Sequence, residues 1–426
     1  MDAPAALVVA SALGMRPTDI GIIGCGTAGG AAALFLARAG HRVTVYERVP
    51  EPGALGAGVM LQPTGQAVLA RLGLLDGVIA RAAPVEKLRC ETVAGRCLFD
   101  LRYDRLPEGY KGYGLHRGVL FDALFRAVGA APVALRCGVA IENLRPTDDH
   151  RGLWFVTPEG ERHGPHAMCV VADGARSHLR DDTSIDKRVE PYPWGALWFV
   201  GEDPDETFAR VLFQKVRGTR RMTGFLPTGL GPTGSVPLVS LFYSLRADQE
   251  APWRAGDLDA WKREIASSVP QAEALLAQIG SHDDVLFTRY HDVEMYPWNT
   301  DRVVYLGDAA HAMSPQLGQG ANLALWDAMT LADECERHLT VGASLAAYSR
   351  ARKRHLGFYQ FATRWLTLFF QSDLVPFGWA RDAFMPLAAG FAPAHTLMVR
   401  SMTGTVQGVA FEEPVRLAPW IVAPRE

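Results

Sequence analysis

The sequence predicts an α/β protein with a discontinuous, Rossmann-like nucleotide-binding domain, an inserted antiparallel-sheet domain and a C-terminal helical tail. Two strand–loop–helix patterns, near residues 24 and 307, predict the first part. Between them, residues 196–245 alternate short apolar strands with Gly and Pro turns, and residues after 317 have helical periodicity. Two nucleotide-type loops so far apart predict one long cofactor held at both ends.

The first pattern is a glycine fingerprint between an apolar strand and an alanine-rich helical run over residues 31–38. Gly24 permits the tight turn, Gly26 lets the backbone approach a pyrophosphate, and Gly29 lets the helix pack closely on the strand. The next strand is predicted over residues 42–47. This arrangement is typical of a dinucleotide-binding βαβ unit.

An acidic residue ends that second strand. Glu47 stands where a carboxylate accepts hydrogen bonds from ribose hydroxyls. Because a carboxylate disfavours a 2′-phosphate, the tightly bound nucleotide is predicted to be FAD or NAD, not NADP. Arg48, next in the chain, belongs to the same set of cofactor-binding candidates.

The remaining elements give the domain division. Helical segments are predicted at residues 64–79, 119–128 and 257–279, extended segments at 85–92, 97–102 and 285–295, and a hairpin-like pair at 153–157 and 167–172. The nucleotide-binding domain is predicted from residues 19–84, 106–186 and 284–342, the substrate domain from 85–105 and 187–283, and the helical region from 343–426. Residues 1–18 are predicted to be a loose leader, since no basic segment precedes their apolar run.

Composition excludes several classes of function. The 426 residues are 48% apolar and 21% charged, and a net charge of −3 gives no electrostatic basis for nucleic-acid binding. No apolar run is long enough for a membrane span, and no Cys/His cluster has metal-site spacing. The cysteines are predicted to be reduced and mostly buried, as in a cytoplasmic protein. The basic run at residues 350–355 is predicted to be a solvated helix face.

The second pattern places several backbone donors at one loop. A β-branched strand runs into Gly307-Asp308 and continues through Pro315, Gly318 and Gly320 into a long helix. Free N–H groups and the positive end of the helix dipole then meet at the loop, which favours an anion.

A third motif, Asp173-Gly174 followed by Arg180, ends another predicted strand. Together and in this order, the three motifs resemble the class A flavoprotein monooxygenases, which have the fold of para-hydroxybenzoate hydroxylase and include salicylate hydroxylases. The resemblance covers residues 19–400, and residues 367–373 are similar to ubiquinone-hydroxylase-type members.

The resemblance implies bound FAD and assigns residues to it. Glu47 would hold the adenosine ribose, Gly26 and Gly29 would face the pyrophosphate, and Arg117 would contact the FAD. Asp308 would accept a hydrogen bond from the ribityl chain. The same resemblance places Pro315 near the reactive edge of the isoalloxazine, and the 318–322 loop, with Gly318, Gly320 and Asn322, at the pyrimidine side.

The resemblance also implies the reaction. NADPH or NADH, bound transiently, would reduce the flavin, with Asp173 and Arg180 serving both FAD and the nicotinamide cofactor. A flavin C4a-hydroperoxide formed from dioxygen would then hydroxylate a small aromatic or heteroaromatic substrate. No metal is implied, and the protein is expected to be a cytoplasmic monomer or homodimer.

Substrate contacts are expected from the strand-rich block. Tyr243, on a strand face with Leu241 and Leu245, is a candidate to bind or deprotonate a phenol, and Gln214 is a second candidate. His311 and His116 are predicted to be structural. The aromatic residues proposed for a pocket wall are Trp194, Trp198, Phe199, Phe213 and Phe225. The helical tail is expected to pack in the core, cover the cleft, form a dimer interface or touch a membrane.

Four alternatives remain open at this stage. A flavin-dependent halogenase would need a Trp-x-Trp-x-Ile-Pro element, which the sequence lacks. A flavin-dependent reductase of unsaturated lipids would suit the apolar tail. A simple NAD dehydrogenase would not need the second and third motifs, and a non-catalytic lipid carrier of the Rab escort type would not hold a flavin.

Overall fold

The computed structural model describes residues 14–53, 56–181, 183–408 and 413–417. The apolar part of the predicted leader lies outside these residues, whereas the Met15 N–H donates to the Cys335 carbonyl oxygen at 2.9 Å. None of the helices in these ranges is both long and apolar enough to cross a bilayer.

Strands and helices alternate in the first and last parts of the chain and segregate in the middle. The strands, in chain order, are β1 (Asp19–Ile23), β2 (Arg42–Glu47), β3 (Gly58–Leu61), β4 (Ala83–Thr92), β5 (Cys97–Arg102), β6 (Gly112–His116), β7 (Val133–Cys137), β8 (Asn143–Pro146), β9 (Leu153–Val156), β10 (Arg162–His166), β11 (Met168–Val171), β12 (Lys187–Glu202), β13 (Arg210–Arg217), β14 (Arg221–Gly229), β15 (Leu238–Arg246), β16 (Leu286–Met295) and β17 (Val303–Tyr305). The α-helices, in chain order, are α1 (Thr27–Arg38), α2 (Pro63–Arg71), α3 (Leu75–Ile79), α4 (Arg117–Ala130), α5 (Glu250–Arg254), α6 (Leu258–Ser268), α7 (Glu273–Leu276), α8 (Asp308–His311), α9 (Gly320–Arg337), α10 (Val341–Phe370), α11 (Val375–Gly390) and α12 (Ala392–Thr403).

A parallel sheet of five strands, in the order β17-β11-β1-β2-β7, forms the part of the fold that is predicted to bind the nucleotide. Its central strands are apolar on both faces because both faces are covered. Helices α1 and α4 pack against the sheet, α9 packs on α1, and the small antiparallel sheet β8-β9-β10 lies over β1. Glycine at position 21 permits this packing, since a Cβ there would lie 2.4 Å from the Phe155 ring.

The hairpin predicted from residues 153–157 and 167–172 is wrong in its second strand. Strand β9 pairs with β10, whereas β11 joins the parallel sheet between β1 and β17. A continuous apolar run such as Met168–Val171 is typical of a strand buried on both faces, and this signal should have separated it from the hairpin.

A second, mixed sheet has the order β16-β12-β15-β14-β13-β4-β6-β3, with β5 paired to β4. The neighbours are antiparallel except β13 and β4, which run parallel. This confirms the strand-rich block predicted at residues 196–245. The sheet also takes β3, β6 and β16 from segments assigned to the nucleotide-binding domain, so it runs directly into that domain.

The helical tail covers the second sheet. Helices α11 and α12 pack against β5, and α10 lies against the loop before α9. The outer side of α11 is apolar and open: the side chains of Trp379, Phe384 and Leu387 are exposed. The tail therefore has one face in the core and one face at the surface.

The basic run at residues 350–355 is only partly a solvated face. Arg352 and His355 are buried, because α9 supplies the buried carboxylate of Asp327. Asp327 Oδ1 accepts from Arg352 Nε at 2.7 Å, and Oδ2 accepts from His311 Nε2 at 2.6 Å. His355 Nε2 donates to the Gly404 carbonyl oxygen at 2.7 Å. The prediction of a solvated run is wrong for these two residues, and His311 has the structural role predicted for it.

This buried cluster should make stability depend on pH. Burial and the neighbouring Arg352 guanidinium lower the pKa of His355 from 6.5 to about 3. Between these values the unfolded chain binds one more proton than the folded protein, so the free energy of unfolding should fall as the pH falls from 6.5 towards 3. The slope should reach about 1.4 kcal/mol per pH unit.

We expect His355→Gln to remove this part of the slope. The measurement is urea unfolding at several pH values between about 4 and 7. His178→Gln is the control, because the His178 side chain is 50% exposed. Equal slopes for the wild type and His355→Gln would contradict the assignment.

Candidate active site

Within the described part of the chain, one large cavity runs from the turn after β1 to the inner side of the helical tail. Its volume is about 760 Å³, within the range of small-molecule and cofactor sites. At one end it is lined by the β1–α1 turn and the loop before α9. At the other end it is lined by the second sheet and the tail.

The glycine turn has the geometry that its sequence predicts. Gly24 has φ +96°, and a Cβ on Gly29 would lie 1.9 Å from the Gly24 carbonyl oxygen, so only glycine at position 29 lets α1 pack this closely on the turn. Gly26 differs from both: nothing lies within 4 Å of where its Cβ would be, and it lines the cavity. The open side of the turn therefore faces the cavity.

Glu47 is held at this turn by backbone donors. Its Oε2 accepts from the Cys25 N–H at 2.9 Å and its Oε1 from the Val49 N–H at 3.0 Å. These bonds fix the carboxylate at the end of β2, beside the cavity. Arg48 is exposed and does not line the cavity.

The second loop lines the middle of the cavity. Asp308 follows Gly307 at the start of α8 and is exposed to the cavity, whereas the Gly307 N–H donates to Asp327 Oδ2 at 2.9 Å. Pro315 begins a 3-10 turn that ends at Gly318, which has φ +62°. Helix α9 then begins at Gly320, so its N-terminal N–H groups point towards the cavity wall.

Asn322 and Arg180 support the walls from behind. Asn322 is fully buried; it accepts from the Gln62 N–H at 2.8 Å and donates to the Met60 carbonyl oxygen at 2.9 Å. Arg180 donates to the Ala309 carbonyl oxygen at 2.9 Å and also to the Ala175 carbonyl. Neither side chain lines the cavity, so both brace the loops that do.

Asp173 also lies behind the lining, next to Gly174, which is part of it. Burial raises the pKa of Asp173.

Arg117 does line the cavity, and its side chain packs against Gly56, where a Cβ would lie 3.1 Å from Arg117 Cδ. His116 has the structural role predicted for it, because its Nδ1 accepts from the Gly118 N–H at the start of α4.

The two candidate residues on the strands face opposite sides of the second sheet. Gln214 lines the cavity, as does Leu212 on the same face of β13. Tyr243 does not: its neighbours Phe242 and Ser244 line the cavity, while Tyr243 packs on Trp261 with ring centroids 5.7 Å apart. The placement of Tyr243 at the substrate is therefore wrong, since period 2 puts it on the face covered by α6.

The predicted aromatic wall is reduced to one member. Trp198 lines the cavity, whereas Phe199, Phe213 and Phe225 pack in the cluster on the opposite face of the sheet. Trp194 is buried under the Arg246 guanidinium, 5.8 Å from its ring centroid.

The far end of the cavity is an apolar chamber between the second sheet and the tail. Its walls are Val85, Leu88, Phe99, Leu101, Leu212, Met222, Leu226 and Phe242 from the sheet, and Leu366, Phe370, Met385, Leu397, Met398 and Met402 from the tail. Polar groups on or beside these walls include Gln214, Ser244, Thr363, Gln371 and Ser401. The tail thus covers the cleft, one of the roles expected for it.

Sequence reasoning missed the tail residues of the chamber and the four polar residues of β16 that line the cavity, which are Thr288, Arg289, Tyr290 and His291. Tyr290 and His291 line the cavity; burial raises the pKa of Tyr290, and burial followed by nearby arginines lowers the pKa of His291. The extended pattern of residues 285–295 gave no sign of this. Gly56, by contrast, carried a usable signal, because a Pro/Gly-rich loop permits close approach to a ligand.

A family model described as an FAD binding domain matches residues 17–357 of this chain. The chain belongs to the class A flavoprotein monooxygenase family. Kynurenine 3-monooxygenase from Salinispora arenicola is 30% identical to this flavoprotein over 369 residues, covering 80% of this chain and 77% of that protein.

Solved structures share the fold of this flavoprotein. PqsL from Pseudomonas aeruginosa, in complex with 2-aminobenzoylacetate, has a TM-score of 0.73 at 22% identity and covers 87% of this chain and 99% of its own. A variant of HpxO from Klebsiella pneumoniae, complexed with FAD, has a TM-score of 0.75 at 20% identity, with 91% and 99% covered.

The residues of this flavoprotein fit FAD. Gly26 and Gly320 each have open space where a Cβ would stand, one at each of two loops that present backbone N–H groups. Such cradles suit a pyrophosphate and an anionic ring edge. The protein is an FAD-dependent monooxygenase. The lipid-carrier and NAD-dehydrogenase alternatives are therefore excluded.

Proposed function

We propose that the enzyme uses NADPH or NADH and dioxygen to hydroxylate a small aromatic or heteroaromatic substrate. One observation carries the proposal: the loop from Pro315 to Gly320 and the apolar chamber line the same cavity. FAD, when bound, accepts hydride from the nicotinamide cofactor and activates dioxygen for transfer to an electron-rich ring. The protein's tasks are then to bind, orient and keep water out.

Each part of the FAD would have its own contacts. Glu47 would hold the adenosine ribose, and the turn at Gly26 would hold the pyrophosphate. Arg117 and Asp308, which both line the cavity, would hold the central part of the cofactor. The start of α9 at Gly320 would stabilise negative charge at the pyrimidine edge, since helix N-termini favour anions.

The nicotinamide cofactor is proposed to bind transiently. In this proposal Arg180 acts indirectly, because its guanidinium is bonded to the carbonyls at Ala175 and Ala309. Ala309 follows Asp308 in α8, and Ala175 lines the same cavity as Asp308. We also propose a cytoplasmic monomer or homodimer, and the cysteines of the described segments are free thiols, which supports that location.

The test is anaerobic reduction of the FAD-loaded protein by NADPH and by NADH, with and without a panel of phenols, hydroxypyridines and quinolones. An aromatic substrate should accelerate flavin bleaching many-fold, and one ¹⁸O atom from ¹⁸O₂ should enter the product. Reduction at the same rate without any aromatic, followed by reduction of a double bond, would favour the reductase alternative. Incorporation of halide would favour the halogenase.

We expect Gln214 to orient the substrate ring. The residue is 9% exposed and lines the chamber, where its amide can donate to or accept from a ring hydroxyl or carbonyl. Gln214→Leu should lower kcat/KM about 3- to 10-fold, the effect of one lost hydrogen bond. Tyr243→Phe, on the other face of the sheet, should leave kcat/KM unchanged. Equal losses in both variants would contradict this orientation role.

A further inference from the structure

The charges of the cavity are unevenly distributed. Among the described lining residues, the charged side chains are Arg117, Arg289 and Asp308, with His291 as a further titratable group. Arg117 lies against Gly56, and Asp308 begins α8, so both belong to the cofactor end. None of the described chamber residues on β4, β5, β13 to β15 or α10 to α12 carries a charge.

Cations do lie near the chamber, but they are already paired. Arg381 is buried, with its guanidinium 5.2 Å from the Phe370 ring centroid. It donates to Asp382 Oδ1 at 2.7 Å and to the Gly218 carbonyl oxygen at 2.8 Å, and it does not line the cavity. Arg400 is similarly paired, with Glu108 Oε1 at 3.1 Å. Neither guanidinium is placed to receive a ligand carboxylate.

The chamber is also deformable and opens through an apolar mouth. Met222, Met385, Met398 and Met402 line it. Unbranched methionine side chains adapt to flexible apolar ligands. At the mouth, Phe361 and Trp365 line the cavity while 61% and 49% exposed, so a ligand entering there passes apolar surface.

We propose that the substrate is an aromatic ring that carries a hydrocarbon chain, and that this chain has no carboxylate or ammonium group. The ring would lie between Gln214 and the Pro315 loop, with the chain in the apolar chamber. Arg289, the remaining cation of the lining, stands on β16, which contributes none of the chamber walls named above. A carboxylate in the chamber would therefore lose its hydration without gaining a cation, and this disfavours substrates whose chain ends in a carboxylate. The inference rests on the proposed function and narrows its substrate class.

Direct binding to the FAD-loaded enzyme tests the inference without turnover. The probes are 4-propylphenol, 4-pentylphenol, 4-heptylphenol and 7-(4-hydroxyphenyl)heptanoate, followed by the flavin difference spectrum and by calorimetry. Each added methylene should lower Kd about three- to fourfold. The terminal carboxylate should raise Kd at least tenfold relative to 4-heptylphenol. A carboxylate ligand that binds as tightly as the neutral one, or no binding by either, would overturn the inference.

Variants separate the chamber from the surface. Met398→Lys should raise the Kd of 4-heptylphenol at least tenfold and lower the Kd of the carboxylate ligand. Met398→Leu should change neither Kd by more than about threefold. Trp379→Ser, at a side chain 71% exposed and outside the cavity, should change neither Kd. If Trp379→Ser alone weakened binding, the ligand site would be the outer face of α11, against the inference.

The two proposals can fail separately. Binding that follows chain length but is accompanied by no substrate-stimulated flavin reduction would contradict the hydroxylase and leave the chamber chemistry standing. Hydroxylation of a ring whose chain ends in a carboxylate, in preference to a ring with a neutral chain, would support the hydroxylase and overturn the inference of a neutral chain.

Discussion

Gly26→Asp is expected to yield a folded protein that cannot hold FAD. The backbone at Gly26, with φ −76° and ψ −164°, is open to any residue, and no atom lies within 4 Å of the new Cβ. Gly26 is the N-cap of α1, and aspartate is a preferred N-cap residue. The carboxylate would project to where a pyrophosphate must lie, and like charges repel strongly at such a distance.

We therefore expect the Kd for FAD to rise at least about 100-fold, while the free energy of unfolding of the apoprotein stays within about 1 kcal/mol of wild type. Flavin fluorescence titration of the apoprotein gives the first quantity and urea unfolding the second. Gly26→Asn introduces a side chain of the same shape without the charge. Comparison of the two variants separates the effect of side-chain size on the Kd for FAD from that of charge repulsion.

Gly30→Ala is the matched control on the same helix. Its Cβ would meet only ordinary contacts, the nearest being Leu124 Cβ at 3.5 Å, and FAD affinity should be unchanged. Retention of FAD by Gly26→Asp at wild-type affinity would mean that the pyrophosphate does not lie at this turn.

Asp327→Ala is expected to be the most destabilising single substitution among those proposed. The fully buried carboxylate accepts from His311, Arg352 and the Gly307 N–H. Its removal leaves a buried guanidinium without its anion, which costs about 3–5 kcal/mol. Asp333→Ala on the same helix breaks only the partly exposed pair with Arg71 and should cost about 1 kcal/mol or less.

Acid titration checks the same residue independently. Burial alone would raise the pKa of Asp327, but His311 and Arg352 outweigh it and lower that pKa from 3.8 to about 2. The stability contributed by the carboxylate is complete above pH 3.8 and is lost as the pH falls through about 2. Asp327→Asn should show no such loss. A cost for Asp327→Ala equal to that for Asp333→Ala would contradict the role of the cluster.

The cofactor end of the cavity was predictable because the residues that form it lie close together in the sequence or on neighbouring strands. Gly24, Gly26 and Gly29 lie within one turn, and the backbone geometry itself demands glycine there. The acid at Glu47 ends the neighbouring strand, which places it beside that turn. Short-range sequence patterns therefore predict both the fold and the position of this part of the site.

The substrate end was not predictable to the same degree. Alternation along β15 groups Tyr243 with Leu241, but the sequence does not tell which face of a sheet meets the cavity and which meets α6. The burial of Arg352 and His355 depends on Asp327, which is brought close only by the packing of α9 on α10. Patterns within one segment do not show a partner that belongs to another.

The walls of the chamber come from opposite ends of the chain, and this sets an order on its assembly. The Thr64 hydroxyl donates to the Thr403 carbonyl oxygen across 339 residues, and the Gln62 N–H meets Asn322 across 260. A ribosome releases the glycine turn and most of the second sheet before α10 to α12 exist. The nucleotide-binding half can therefore begin to fold during synthesis, whereas the chamber closes only after the last helices leave the exit tunnel.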